Sequence, residues 1–274
     1  MTHRSLAVRL VSLAVALSAA ALTSAAAVGC AGPGADADAE NGRPVRLGQG
    51  ADAVQALVFV PTNRGPHPAV IVLHEDRGLD DLTRDRAKRF AQRGYLALAV
   101  DLFRGQKPTN LDDAHIVERG VPEGRAVSDV RAAVTYLAGR PDVKPDRVAV
   151  VGWDMGGGYA MDAALADRRI RAVVVCYGRL TTEPETLKGL RARFLGIFGE
   201  TDVGIAPSTV ASFLRAMEKA GKPVGGLHIH PGVGHGFMSR PELAERTSPE
   251  GIQSYLAWRT IDGFLYSELE NAGK

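Results

Sequence analysis

Val148-Ala149-Val150-Val151-Gly152-Trp153-Asp154-Met155-Gly156-Gly157-Gly158 runs from an apolar, strand-like segment straight into a glycine-rich turn. Glycines at 152 and 156 flank Asp154 by two residues on each side. That spacing lets a chain swing abruptly from strand to helix, because larger side chains there would collide, and it leaves the central residue exposed at the sheet edge. The Met155 amide that follows opens a helix, where an anion is favoured. Taken alone, the motif also fits an ordinary turn with an N-capping aspartate.

Two later segments distinguish these readings. Gly199-Glu200-Thr201-Asp202 follows the apolar run ending at Phe198, and Gly232-Val233-Gly234-His235-Gly236-Phe237 follows the run ending near Ile229. Each places a polar residue just beyond a strand, in the order central residue, acid, histidine. Asp154, Asp202 and His235 are therefore the expected catalytic centre. Asp202 orients His235 and stabilises its charged form, and His235 handles protons. The order and spacing point to an α/β-hydrolase fold.

The rest of the chain agrees. Strand-like runs at 56–60, 69–73, 96–100, 148–151, 172–175, 194–198 and 227–229 alternate with helical periods. Leu82, Ala87, Phe90 and Ala91 stop at Gly94, and Val127, Val130, Val134 and Leu137 stop at Gly139. A further helix starts at Met155, another carries Val210, Phe213, Leu214 and Met217, and a closing one carries Ile252, Leu256, Ile261, Phe264 and Leu265. Such alternation predicts an α/β domain with a mostly parallel, doubly wound sheet, in one piece over 45–270. Ligands then bind at the carboxyl ends of the strands.

These segments resemble the dienelactone hydrolase family over residues 45–268. The family's elbow reads Gly-x-Cys-x-Gly-Gly, and its histidine lies in a His-Gly-Phe-like context. A His-Glu pair after an early strand is matched by His74-Glu75, and Arg104 in Asp101-Leu102-Phe103-Arg104-Gly105 lies near the family's substrate-carboxylate arginine. The resemblance implies that Glu75 approaches the central residue, and that the Asp76 amide joins that of Met155 in an oxyanion hole. It also implies a small-molecule ester, lactone or related electrophile as substrate. The departure is Asp154, standing where the family has cysteine. A carboxylate attacking an ester would form a high-energy mixed anhydride. Displacement at saturated carbon, as in haloalkane dehalogenases and epoxide hydrolases, suits it better. Sharing a proton with Glu75 to activate water, or an inactive ligand-binding role, also stays open.

Other residues carry less. Trp153 is expected as a pocket wall or packed beside the elbow. His228 and His230 share a strand face near His235 but have no Asp or Cys ligand at a useful spacing, so neither metal nor cofactor is expected. The charges in 84–93 read as a solvated helix face. Nucleotide binding fits poorly, since Trp153 and Asp154 intrude on the glycine run and no ribose acid follows.

The 274 residues are 45% hydrophobic with a net charge of +2. Residues 1–29 hold Arg4, Arg9 and no acid, leaving 31 bases against 31 acids in the remainder. That balance argues against nucleic acid. The leader couples a basic start to the apolar run 10–28 and reads as a signal peptide. Ala27-Val28-Gly29-Cys30 resembles a bacterial lipobox, with Ala in the first position, so Cys30 is the expected lipid attachment site. Residues 30–44 then form a flexible tether. An exported monomer is expected, held at the membrane through the lipid alone or free outside the cytoplasm. Cys176 closes an apolar run and reads as a buried, inert thiol.

Overall fold

The computed structural model describes residues 40–122, 124–239 and 247–271. The expected signal peptide, Cys30 and most of the expected tether lie outside these residues. Among the described residues eight strands form one sheet: β1 (Arg43–Leu47), β2 (Val54–Phe59), β3 (His67–Leu73), β4 (Leu96–Val100), β5 (Val143–Trp153), β6 (Ile170–Cys176), β7 (Arg193–Gly199) and β8 (Val224–His230). Their order is β1-β2-β4-β3-β5-β6-β7-β8. The β1–β2 and β2–β4 pairs are antiparallel and the remaining pairs parallel. This is the α/β-hydrolase fold.

The central strands read as unbroken apolar runs because both sheet faces are covered. Every residue of β3 is buried. Alternation then sorts its side chains: Ala69, Ile71 and Leu73 enter one core, Val70 and Val72 the other. The first core packs on α3 (Arg125–Ala138), α4 (Met155–Ala166) and α6 (Pro207–Lys219) through residues such as Val134, Met161 and Phe213. The second packs on α1 (Asp81–Gln92) and α7 (Pro249–Leu269) through Phe90, Ile261 and Leu265. Asp80 caps α1 by accepting from the Thr83 amide at 2.9 Å, and Ser248 caps α7 by accepting from that of Gly251 at 3.0 Å.

Three elements differ from expectation. β1 begins at Arg43, inside the stretch read as tether, where an alternating charged strand pairs with β2 at the sheet edge. Two helices, α2 (Leu111–Arg119) and the short α5 (Pro184–Leu187), are too short for an apolar period to stand out. Only Ala114 of α2 is buried. Among the described residues no helix is long and apolar enough to cross a membrane.

Candidate active site

The parallel strands are in register near their carboxyl ends, where Gly152 of β5 pairs with Leu73 of β3 and Val175 of β6. The loops that follow therefore converge. Asp154 has φ 51° and ψ −119°, a conformation costly for any residue with a side chain, of order 1–3 kcal/mol. It is held from both ends. Its amide donates to the Cys176 carbonyl at 2.9 Å, and its own carbonyl accepts from the Gly157 and Gly158 amides at 3.0 and 3.2 Å. The glycines are sterically required. A Cβ on Gly152 would lie 2.0 Å from the Gly156 carbonyl oxygen, and one on Gly156 would lie 2.4 Å from that of His74.

His235 bridges the two aspartates. Its Nδ1 lies 2.9 Å from Asp202 Oδ2, and its Nε2 lies 3.0 Å from Asp154 Oδ1. Asp202 is fully buried on its side chain, and its Oδ1 accepts from the Gly204 and Ile205 amides at 2.8 Å each. The hydrogen bond to Asp154, helped by Asp202 against the effect of burial, raises His235 from 6.5 to about 9. At neutral pH it is an imidazolium between two carboxylates.

The Glu75 carboxylate is oriented away from the role expected of it. Its Oε1 accepts from Arg86 Nη2, Tyr177 OH and Ser239 Oγ, each at 2.8 Å. No hydrogen bond joins Glu75 to Asp154 among the described residues, so the proton-sharing pair does not form, although both line one groove. Arg86 corrects a second expectation. It sits in the helix read as a solvated face, yet it is buried, 4.2 Å above the Trp153 ring. Trp153 itself is wholly buried beside Trp258, not a pocket wall. Arg104 is a third. Its guanidinium makes a two-pronged pair with Asp129, at 2.7 and 2.9 Å, and lies outside both cavities at Asp154.

His74 is buried and sets the loop after β3. Its Nε2 accepts from the Leu102 amide at 3.0 Å, so Nδ1 carries the proton and donates to the Glu75 carbonyl at 2.7 Å. Burial keeps the ring neutral. This fixes the peptide leading to Asp76, whose carboxyl is pushed up by burial and by the neighbouring charge of Asp154. On the elbow side, Met155 supplies the first amide of α4, with no intrahelical partner.

Two cavities open at Asp154. A groove of about 700 Å³ runs past Glu75, Asp76, Lys107, Leu111 and His235. A smaller cavity of about 230 Å³ lies against Glu118, Met155, Tyr159, Tyr177 and Arg179. Tyr177, Arg86, Ser239, Glu118 and Arg179 had no signature in the sequence. Only Tyr177 offered a hint, as the residue just past an apolar strand. Among the described residues no three His, Cys, Asp or Glu side chains converge to hold a metal. His230 instead meets Gln253 at 3.0 Å.

Comparison with known proteins agrees with this architecture. Residues 54–263 match the model of the Dienelactone hydrolase family. The chain is 28% identical to a "Putative carboxymethylenebutenolidase" of Methylorubrum extorquens, covering 75% of this chain and 76% of the relative. It is 28% identical to a "Probable 2-oxo-3-(5-oxofuran-2-ylidene)propanoate lactonase" of Bradyrhizobium sp, covering 78% and 93%. A solved structure of a dienelactone hydrolase-like promiscuous phosphotriesterase, P91 from metagenomic libraries, superimposes with a TM-score of 0.72 at 21% identity, covering 82% of this chain and 97% of that one. With the family pattern matched across strands β2 to β8 and into α7, the chain belongs to the dienelactone hydrolase family and is a hydrolase of that family.

Proposed function

We propose that the chain hydrolyses a small ester or lactone through an Asp154–His235–Asp202 centre, with aspartate in the place of the family's thiol. The observation that carries this is the single histidine bridging two aspartates, one buried and one on the strained elbow. The lactonase descriptions of the relatives point to the same bond. Because a carboxylate on an acyl carbon gives a mixed anhydride, Asp154 acts on water. Its carboxylate takes a proton from a water that attacks the carbonyl. The Met155 and Asp76 amides are assigned to the oxyanion. The His235 imidazolium donates to the departing oxygen, and Asp202 holds the ring in place.

A second reading has its own support. The charge on His235 depends first on Asp154. If Asp154 attacked a saturated carbon, as on an epoxide or haloalkane, the resulting ester would be neutral. His235 would then lose its main anionic partner and become free to activate water. One turnover in heavy-oxygen water, with enzyme in excess, separates the readings. Label in the Asp154 peptide requires the covalent route, and its absence alongside product formation supports the water route. If aryl esters, lactones, epoxides and haloalkanes are all left intact, the fold serves binding alone. We further propose that the protein is exported and lipidated at Cys30, on the strength of its leader.

A further inference from the structure

Glu118 stands on α2, which lies across the mouth of the site: its first residue, Leu111, lines the large groove and Glu118 lines the small cavity. Asn110 anchors the start of that helix by accepting from the Asp113 amide at 2.9 Å. In the small cavity the Glu118 carboxylate has no hydrogen-bond or ion-pair partner among the described residues. It is only half-exposed, and it shares the space with Asp154. Burial and the Asp154 charge both push its carboxyl above the ordinary carboxylate range, with Asp76 adding to the effect. Asp154 already has His235 as its partner, so Glu118 is the carboxylate of this cavity left without one.

His115 and Arg119, on the same helix, oppose the rise at Glu118 through their charge without forming an ion pair with it, and the arginines from other elements are held by other groups. Arg179, which lines the same cavity, pairs with Asp162 at 2.5 Å. Arg125 donates to the Leu102 carbonyl at 3.2 Å. Arg104, the residue expected to receive a substrate carboxylate, is tied to Asp129. An anionic substrate group in this cavity would meet Glu118 and Asp154, while Arg179, the arginine among its lining residues, is already paired with Asp162. A cationic group would relieve their repulsion. Tyr159, which is only partly buried, adds an aromatic ring to the lining, the kind of surface on which alkylated ammonium groups are bound. The volume of about 230 Å³ corresponds to roughly seven waters, room for such a group beside the reacting bond.

We propose that the cavity between Asp154 and Glu118 receives a cationic, alkylammonium-type group of the substrate, with Glu118 as the residue that selects it. The proposal rests on the reading of Asp154 as the reacting centre, and it names the class of substrate for that centre.

Two measurements test it separately from the hydrolytic reading. Calorimetric titration with tetramethylammonium should show binding to the full chain, weakened about tenfold in Glu118→Gln. Asp112→Asn, on the exposed side of the same helix, should retain it. Kinetics then compare acetylcholine with its neutral isostere 3,3-dimethylbutyl acetate. The ratio of kcat/KM should favour the cation about tenfold, and Glu118→Gln should bring the ratio near one. No tetramethylammonium binding, or binding and a ratio indifferent to Glu118→Gln, would overturn the cation site even if both esters are hydrolysed. Binding that depends on Glu118 while neither ester is turned over would keep the site and remove the esterase reading instead.

Discussion

Replacing Asp154 by asparagine tests the electrical structure of the site directly. Asparagine keeps the size and shape of the side chain, and the elbow at φ 51° and ψ −119° is held by its flanking backbone hydrogen bonds, so it should survive. What it removes is the anion 3.0 Å from His235 Nε2. That contact is the foremost reason His235 rises from 6.5 to about 9, with Asp202 second and burial opposing both. Losing it should lower the His235 pKa by about 1–2 units. One unit corresponds to about 1.4 kcal/mol between the two protonation states. The His235 side chain is 38% exposed, so screening by solvent reduces the stability effect to about 1 kcal/mol. The sign follows from linkage. A histidine raised on folding stabilises the native state fully below its unfolded value near 6.5, and that stabilisation disappears as pH climbs through about 9. The difference in stability between the parent and Asp154→Asn should therefore be largest near pH 6 and vanish near pH 10. Histidine ring-proton NMR titration gives the pKa, and urea unfolding at the two pH values gives the energies. If His235 in Asp154→Asn still titrates near 9, Asp202 alone sets its charge, and the bridging arrangement is not what holds the proton.

The remaining tests reach other parts of the argument. If His235 acts as the acid, kcat/KM for an ester should fall on the alkaline side with a midpoint near 9, whereas a covalent route through Asp154 would leave no such limb. Arg86→Met strands Glu75 without its buried cation and should cost about 3–5 kcal/mol in urea unfolding, with part of the loss recovered in the Arg86→Met/Glu75→Gln double variant; equal losses in both would show that the ion pair is not the source. Gly156→Ala forces a Cβ to 2.4 Å from the His74 carbonyl oxygen and should lower stability by about 1–3 kcal/mol or more while disrupting activity. Cys30→Ser should abolish partition of the protein into detergent, and partition unchanged by that variant would remove the lipid anchor.

Much of the fold was legible because the central strands are buried on both faces. Ala69 to Leu73, Val148 to Val151 and Ala172 to Val175 must be apolar throughout, and such runs stand out against the helices between them. The edge element β1 was illegible for the opposite reason. Arg43, Pro44 and Arg46 lie on one open margin, where pairing with β2 places no demand on side-chain polarity. Helix α2 borders the site with a single buried residue, Ala114, and leaves Leu111 and Ile116 exposed, so over its nine residues the apolar positions do not mark one buried face.

The same reasoning explains which site residues could be read. Asp154, Asp202 and His235 are each announced by a glycine-rich turn at a strand end, since sharp reversals there impose a backbone requirement that only certain residues meet. Their partners carry no such mark. Arg86 occupies one position of a helix full of charges, and only its burial against Trp153 and Glu75 separates it from Arg84 and Lys88. Arg104 fails in the reverse direction. It sits at the position where a substrate ligand was expected, but Asp129 of α3 reaches it first, and a two-pronged ion pair leaves the guanidinium little to offer a ligand. What decides such cases is which charges the tertiary fold brings within a few ångströms. Around this site the fold pairs Arg86, Arg104 and Arg179 with protein carboxylates and leaves Glu118 unpaired in the cavity it shares with Asp154. In the proposal made for this cavity, the charge that completes that arrangement comes from the ligand.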